Sequence, residues 1–472
     1  MAESRGGHSL GSQNLVTEFM RSSDAFTWSM ESDPRLRSTV VSVILLEHSP
    51  DWDAVRSRLE LISRKLPMLR QRVVVSAKPA PPRWELDPDF DLDFHVRRFA
   101  VSKPANLDAV LEIARLAAMD DFDRARPLWE VSLIEALDDG GAAVLCKFHH
   151  ALTDGIGGIQ IAMNLFDLTA QGNAADTAIL EPEARNPTRL GRYLDVARYD
   201  LTALGRLVSG TLLTAPKLLD HVVRRPFQTV SSAAELTASV YRTMRPVNAT
   251  GSPLMKDRTT VRRLGVLDVP MSRLREAAHR GGGAINDALV AGVAGGLRRY
   301  HEMHGVKVGD LHLTMPVSIR SEADEIGGNR ITLMRFDVPV GLADPAQRIS
   351  AIHERTSRVR GEKSLPYTQL IARALNLMPR WYIGMVLRHV DFLVSDVPGI
   401  PVPVYLGGSK VIRQYAFGPT IGAAVNVTLL TYVDTCALGI DVDTGAIPDF
   451  AEFYDCLVAG FDEVLALATA EG

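Results

Sequence analysis

Hydrophobic and polar positions in the first part of the chain alternate between strand-like and helix-like patterns. Residues 39–47 are apolar and β-branched, which predicts a strand, whereas residues 53–65 and 107–119 place apolar side chains at helical spacing. Residues 141–148 form a nearly continuous apolar run, as expected for a strand buried on both faces. Alternation of this kind predicts an α/β layer fold.

The same alternation returns in the last part of the chain. The predicted strands there are residues 311–317, 331–340, 391–394 and 436–442, and the predicted helices are residues 287–301 and 345–360. A chain of 472 residues is too long for a single hydrophobic core. We therefore expect an N-terminal lobe (1–184), a helical linker (185–258) and a C-terminal lobe (259–472).

The expected linker is strongly basic. Residues 185–263 contain fourteen Lys or Arg and five Asp or Glu, a local net charge of +9 in a chain whose total is −4. Basic and aliphatic residues interleave over residues 190–219, which is typical of an amphipathic helix. Two interpretations stay open, namely a helix packed across both lobes and a helix that binds an anionic membrane surface.

Overall composition narrows the possible functions. The slightly negative net charge gives no whole-chain argument for nucleic-acid binding, and no apolar run approaches the ~20 residues of a membrane-spanning helix. The first ten residues are polar and lack the apolar core of a signal peptide. The three cysteines are far apart and in apolar surroundings, which favours buried thiols. We expect a cytoplasmic protein, either free or resting on a membrane.

Two adjacent histidines, His149 and His150, end the apolar run at residue 148, and Asp154 follows. Histidine titrates near neutral pH, so it can take a proton from an alcohol or thiol and later return it. Neighbouring residues of a strand point to opposite faces, so only one imidazole projects naturally into a given cleft. No further His or Cys cluster accompanies this set, so a zinc site is poorly supported. The pattern predicts acid–base chemistry without a metal.

Three other segments are ordinary when taken alone. Asn286 or Asp287 precedes a helical pattern and fits a helix N-cap. Residues 395–399 have the composition of a turn. Arg124 and Arg126 are expected to pair with nearby acids, and Trp129 is expected to begin a strand.

Together and in this order, the motifs resemble those of the bacterial wax ester synthase/diacylglycerol acyltransferase family. The HHxxxDG pattern alone marks only the wider superfamily of CoA-dependent acyltransferases, which includes condensation domains. The later motifs are more specific to the family. The matching segments are RPLWE (126–130), HHALTDG (149–155), INDALVAG (285–292), MPVSIR (315–320), GGNRITLM (327–334), DPAQRI (344–349), SDVPGIPVPVYLGG (395–408) and GPTIGAAVNVTLLTYVDTCALGIDVD (418–443).

The resemblance implies two chloramphenicol-acetyltransferase-like lobes with the active site in a tunnel between them. Acyl-CoA would enter from one side and a lipid alcohol, either a diacylglycerol or a long-chain alcohol, from the other. His150 would be the general base, His149 a supporting residue and Asp154 an orienting residue. Asn286 from the opposite lobe would stabilise the oxyanion. The expected substrate-binding residues are Gly155, Gly157, Gly158 and Asp287.

The resemblance also implies direct acyl transfer without an acyl-enzyme. No cofactor is expected, because acyl-CoA is itself a substrate, and a peripheral membrane or lipid-droplet surface is an expected partner. One departure is Asp396, which stands where the family usually has Asn; an acid there would repel CoA phosphates or make the same turn hydrogen bond. Two alternatives stay open, a condensation-type acyltransferase with an amine or sugar acceptor and a non-catalytic lipid-binding protein.

Overall fold

The computed structural model describes residues 18–77, 80–153, 155–172, 182, 188, 190–199, 201–202, 249–318, 331–360 and 389–468. In this part of the chain the helices are α1 (Ser22–Met30), α2 (Trp52–Lys65), α3 (Leu92–His95), α4 (Leu107–Met119), α5 (Gly155–Leu165), α6 (Met271–Arg280), α7 (Ile285–Met303), α8 (Pro345–Arg360) and α9 (Phe450–Ala466). The strands are β1 (Glu18–Phe19), β2 (Thr39–Leu46), β3 (Gln71–Val74), β4 (Arg83–Leu86), β5 (Val96–Ala100), β6 (Trp129–Glu135), β7 (Ala142–His149), β8 (Arg262–Pro270), β9 (Asp310–Ser318), β10 (Ile331–Pro339), β11 (Phe392–Ile400), β12 (Tyr405–Leu406), β13 (Ser409–Phe417), β14 (Val425–Tyr432) and β15 (Thr435–Asp443).

Local sequence explains several of these boundaries. The carboxylate of Asp51 accepts hydrogen bonds from the N–H groups of Asp53 and Ala54 and so caps α2. The amide oxygen of Asn106 accepts one from Ala109 and caps α4. The strands and helices predicted at residues 39–47, 53–65 and 107–119 are confirmed to within one residue at each end.

The first large sheet has the strand order β12-β13-β2-β7-β6-β5. Its two central strands, β2 and β7, are antiparallel, and Val40 lies opposite Phe148. One face packs against α2 and α5 through an apolar cluster that includes Ile44, Leu59 and Leu165. The other face packs against α4. The sheet is therefore covered on both sides, as the continuous apolar run at residues 141–148 predicts.

The second large sheet has the order β10-β9-β11-β14-β15-β8. Strand β11 is parallel to both of its neighbours, whereas the other pairs are antiparallel. Helices α7 and α9 pack together against one face, around residues such as Leu289, Val293 and Phe461, which are at most 1% exposed. A third, small sheet has the order β1-β4-β3.

A segment from the C-terminal part of the chain joins the first sheet, which corrects the expected lobe boundary. Strands β12 and β13 belong by sequence to the segment 259–472, but β13 pairs with β2 of the first sheet. This crossing brings the backbone of β13 against β15, where a Cβ atom on Gly439 would lie 2.0 Å from the carbonyl oxygen of Ala416. Assigning residues 405–417 wholly to the C-terminal lobe was wrong, because an apolar pattern predicts a strand without identifying its partner.

The segment 395–399 is not the turn that its composition predicts. Strand β11 continues through it, and its register with β14 shifts between Val397 and Ile400. Proline cannot donate a ladder hydrogen bond, so Pro398 is accommodated at this irregularity. The N–H of Gly399 instead donates to the hydroxyl of Thr431 at 2.8 Å. The consequence is that Asp396 lies on the wall of the second sheet and not in an exposed loop.

The described residues include two stretches of the basic segment, one near its start and one at its end (249–263). Residues 190–199 are helical, and the pairs Arg192–Glu85 (2.6 Å) and Arg83–Asp195 (3.0 Å) attach this stretch to β4. Leu190 and Leu194 are 70% and 62% exposed. The expected amphipathic pattern over residues 203–219 lies outside the described residues. No helix within the described ranges is both long enough and apolar enough to cross a membrane.

Candidate active site

The two histidines at the end of β7 lie in different surroundings. His149 is fully buried and pairs with Thr39 of β2, whereas His150 follows the last residue of the strand and donates its backbone N–H to the carbonyl of Ser38 at 2.9 Å. The side chain of His150 lies with that of Phe148 on the wall of a cavity between the two large sheets. The side chain of His149 points to the opposite side. The divergence expected from strand alternation is confirmed.

His149 is fixed on both ring nitrogens. Its Nδ1 accepts the N–H of Ala151 at 2.9 Å, so this nitrogen carries no proton and Nε2 carries one. Nε2 lies 3.0 Å from Oε2 of Glu31, although bent away from the straight geometry of a hydrogen bond. The rings of Trp28 and Phe122 lie 5.5 Å and 6.0 Å from the imidazole. These contacts tie the turn after β7 to α1.

Glu31 is held as a carboxylate in this buried position. Burial opposes its ionisation, but the hydrogen bond of His149, the N–H of Ser38 and the guanidinium of Arg124 together hold the pKa of Glu31 below its usual value. Ser38 donates to Oε1 at 2.8 Å and Arg124 to Oε2 at 3.2 Å. Arg124 also lies over the ring of Trp28, with 4.4 Å from guanidinium carbon to ring centroid. The expected pairing of Arg124 with an acid is confirmed.

His150 lines a mainly apolar cavity of about 200 Å³, which we call the channel. One wall is the face of the first sheet, another is α5, and the third consists of residues from β9, β11 and β14 of the second sheet. Few polar side chains interrupt the apolar lining. The channel is lined by Val40, Ser42, Ile44, Cys146, Phe148, His150, Thr153, Gly158, Ile159, Ile161, Ala162, Leu165, Phe166, Pro316, Ser395, Asp396, Val397, Gln414, Ala416, Gly418, Thr428 and Leu430.

Asp396 brings an acid from the second sheet to the channel wall. Burial raises the pKa of this carboxyl group, and a hydrogen bond with the side chain of Asn286 partly offsets the effect. Asn286 lies in the first turn of α7, and its Oδ1 is buried with no hydrogen-bond partner among the described residues. Asn286 is thus next to the channel but is not itself part of the lining described above. The expected role of Asn286 in stabilising the oxyanion stays a prediction, and the structure places Asp396 between Asn286 and the channel.

The other predicted site residues divide into three groups. Gly158 lines the channel, and a Cβ atom there would meet no heavy atom closer than 4.0 Å. Gly155 begins α5, two residues earlier than the start near residue 157 that the sequence suggested, and Gly157 lies in its first turn. Asp154 lies outside the described residues.

Asp287 stabilises the start of α7, and its expected role in substrate binding stays a prediction. Its Oδ2 accepts the N–H of Ala284 at 2.8 Å and lies 2.7 Å from Nδ1 of His353. Ala284 is the N-cap residue of α7, so the expected N-cap at Asn286 or Asp287 was wrong by two to three residues. Asp287 instead stabilises the start of the helix from its third position, where an acid suits the positive end of the helix dipole.

Cys146 also lines the channel, but burial raises the pKa of its thiol to about 12. A thiol with such a pKa is not ionised near neutral pH and is a poor nucleophile. Within the described ranges, no group of three or more His, Cys, Asp or Glu side chains is arranged to hold a metal ion. His150 and Asp396 are the side chains of the lining that can exchange a proton near neutral or mildly acidic pH.

Sequence reasoning missed Glu31 and Gln414. Glu31 comes 118 positions before its partner His149 and carries no local signal beyond an acid in an aromatic-rich helix. Gln414 lies in a strand whose sheet was misassigned. Both contacts depend on long-range pairing, which a periodic pattern does not specify.

Comparison with known proteins places the whole chain in one family. A model of the wax ester synthase/diacylglycerol acyltransferase catalytic domain matches residues 20–289, and a model of the C-terminal domain of the same family matches residues 327–464. A protein of Mycobacterium tuberculosis strain H37Rv, provisionally named as a diacylglycerol O-acyltransferase, is 38% identical over 443 residues, covering 93% of this chain and 90% of the relative. A second protein of that strain, tgs1, is also provisionally named as a diacylglycerol O-acyltransferase. It is 26% identical over 436 residues, and the match covers 89% of this chain and 89% of the relative.

Solved structures agree with the fold. A wax ester synthase/diacylglycerol acyltransferase from Marinobacter aquaeolei VT8 superposes with a TM-score of 0.64 at 20% identity, covering 96% of this chain and all of that chain. The first condensation domain of the calcium-dependent antibiotic synthetase superposes with a TM-score of 0.62 at 15% identity and covers 96% of each chain. The expected two-lobe α/β fold is confirmed.

Proposed function

Because the chain belongs to the wax ester synthase/diacylglycerol acyltransferase family, we propose that it transfers a long-chain acyl group from acyl-CoA to the hydroxyl group of a lipid alcohol. The observation that carries this proposal is the position of His150, the histidine that opens onto an apolar channel between the two sheets. An apolar channel suits an alkyl chain, and an imidazole at its wall suits removal of a proton from a hydroxyl group.

The reaction proceeds in this proposal by direct transfer. His150 accepts the proton of the acceptor hydroxyl as that oxygen attacks the thioester carbonyl carbon. The carbon–sulfur bond then breaks, and His150 returns the proton to the departing thiolate, so that an ester and free CoA leave. Holding both substrates in one channel supplies on the order of 7–11 kcal/mol of the barrier by proximity and orientation. His149 positions the turn that carries His150, through its contacts to Ala151 and Glu31.

The wall opposite His150 supplies the polar contact to the developing oxyanion. Asp396 lines the channel there and hydrogen-bonds to Asn286. Burial raises the pKa of Asp396 and so favours its neutral form, and only that form could donate a hydrogen bond to the thioester oxygen, because the carboxylate would repel the developing charge. In this proposal Asn286 acts through Asp396.

The acceptor is a diacylglycerol or a long-chain alcohol in this proposal, and not an amine or sugar. Residues such as Ile44, Leu165 and Phe166 give the channel an apolar wall along its length. A polar acceptor would lose its hydration against such a wall without finding partners for its hydroxyl or amino groups. The presence of His150 in the channel lining likewise favours an enzyme over a non-catalytic lipid-binding protein.

We expect the protein to work in the cytoplasm, at the surface of a membrane or lipid inclusion where such acceptors are found. The exposed Leu190, Tyr193 and Leu194, next to basic residues, support a lipid-facing role for the stretch at 190–199. Cosedimentation with anionic vesicles that weakens with rising salt is the expected result. Binding that ignores salt, or no binding, would favour a purely structural linker.

The activity is tested by incubating the purified protein with radiolabelled oleoyl-CoA and three acceptors in parallel. The acceptors are dioleoylglycerol, hexadecanol and an amine of similar chain length. Label in triacylglycerol, wax ester or both, with little in the amide, is the expected result. Label confined to the amide would favour the condensation-type reaction, and no transfer to any acceptor would favour lipid binding alone.

A further inference from the structure

The side-chain amide of Gln414 is a polar group of the channel that the proposed reaction does not use. This residue is only 3% exposed and lines the channel. Its Nε2 is buried and has no hydrogen-bond partner among the residues that the structure describes. Its partner in the strand register, Ile44, has an aliphatic side chain that offers no acceptor. A buried amide left unpaired is costly, so this donor is expected to be satisfied by something inside the channel.

The strand register places Gln414 far from the reacting centre. Gln414 pairs with Ile44 on β2, whereas His150 is hydrogen-bonded to Ser38 at the other end of the same strand. Six residues of extended strand at roughly 3.3 Å each separate the two positions by about 20 Å. Each acyl chain of a bilayer spans only about 15 Å of the hydrocarbon core. An alkyl chain that starts at His150 must therefore extend beyond the span of a bilayer acyl chain to reach Gln414.

We propose that Gln414 limits the length of the alkyl chain that the channel accepts. A chain that ends before Gln414 leaves room for water, which can accept a hydrogen bond from the amide. A longer chain displaces that water and places methylene groups against an unpaired donor, which weakens binding. The inference depends on the proposed function. It applies to whichever alkyl chain enters from His150, that of the acyl-CoA or that of the alcohol.

The test compares chain-length preference between the natural protein and Gln414→Met, which has a similar volume and no polar amide. One series varies the donor, lauroyl-, palmitoyl- and stearoyl-CoA, with hexadecanol fixed. The other varies the alcohol with palmitoyl-CoA fixed. The readout is the ratio of kcat/KM for the longest and shortest chain in each series. Because both rates come from the same preparation, a loss of correctly folded protein cancels in the ratio.

Gln414→Met is expected to raise the long-to-short ratio by roughly fivefold or more in one series, and that series identifies the chain. Gln414→Glu, which keeps a polar end, should not raise it. The matched control is Gln160→Met, because Gln160 also has a buried, unpaired amide atom among the described residues but does not line the channel. An unchanged ratio in both series, or an equal change in Gln160→Met, would overturn the inference. Failure of the natural protein to transfer any acyl group would instead overturn the proposed function.

Discussion

His149 and His150 are neighbours in the chain but lie in two different regions of the molecule. His149 is enclosed by Glu31, Trp28 and Phe122, and both of its ring nitrogens are engaged. His150 faces the mainly apolar channel between the two large sheets. The difference arises from the pleat of β7, which sends consecutive side chains to opposite faces. Because the two side chains point to opposite faces, His149 can stabilise the turn while His150 is available for the proposed catalysis.

The largest expected effect is that of His150→Ala on activity. Loss of the general base should lower kcat for acyl transfer by roughly a thousandfold. The free energy of unfolding should change by no more than about 1 kcal/mol, because the side chain lies on the wall of an open channel. Initial rates and denaturant unfolding of the same preparation measure both quantities. A rate within tenfold of the natural protein would remove His150 from its proposed role.

His149→Ala should reduce stability more and activity less than His150→Ala does. Removing this imidazole leaves a cavity between Trp28 and Phe122 and takes a partner from the buried Glu31, at a cost of about 2–4 kcal/mol of stability. Activity should fall by only about tenfold, through displacement of the turn that carries His150. The same two measurements apply. A loss of activity as large as that of His150→Ala, with stability unchanged, would mean that His149 carries protons as well.

Glu31→Gln tests the structural role of the His149 region through the pH dependence of stability. The pKa of Glu31 is lower in the folded protein than in the unfolded chain, so its stabilisation is complete above the ordinary glutamate value and is lost as pH falls below roughly 4.5. The natural protein should be more stable than Glu31→Gln at neutral pH, and the difference should shrink in the acid range. Unfolding free energies at several pH values measure it. A difference that stays constant down to the acid range would contradict this reasoning.

The smallest expected effect is that of Asp396→Asn, a substitution in the channel wall, on the pH dependence of the rate. Burial raises the pKa of Asp396, so its neutral form persists to higher pH than in an exposed carboxyl group, and ionisation at still higher pH should oppose the oxyanion. The rate of Asp396→Asn relative to the natural protein should therefore rise by about threefold or less as pH increases. A pH–rate profile with oleoyl-CoA measures this. A ratio independent of pH would mean that Asp396 does not titrate beside the thioester.

Local features of the fold were predictable from sequence, and long-range contacts were not. The periodicity of residues 107–119 predicts α4, and alternation at the end of β7 predicts the divergence of His149 and His150. Neither pattern identifies Glu31 as the partner of His149, because that contact joins α1 to β7 across 118 positions. In the same way, the apolar residues of β13 predict a strand but not its pairing with β2.

The misassigned segment 395–399 teaches a related point. Its Pro and Gly predict a turn, yet an irregular register in a central strand accommodates both residues. Whether such a segment bends or stays extended depends on the strand that pairs with it, here β14. The position of Asp396 on the channel wall, and of Gln414 about 20 Å away from His150, could be learned only from the structure.

Direct transfer, with His150 as the proton carrier, is tested most directly by single-turnover reactions of the protein with labelled oleoyl-CoA. The protein is in excess, and hexadecanol is present or absent. CoA release and ester formation should occur at the same rate, only when hexadecanol is present, without label on the protein. His150→Ala should release little CoA in either case. A burst of CoA release without acceptor, with label retained on the protein, would contradict direct transfer and point to an acyl-enzyme.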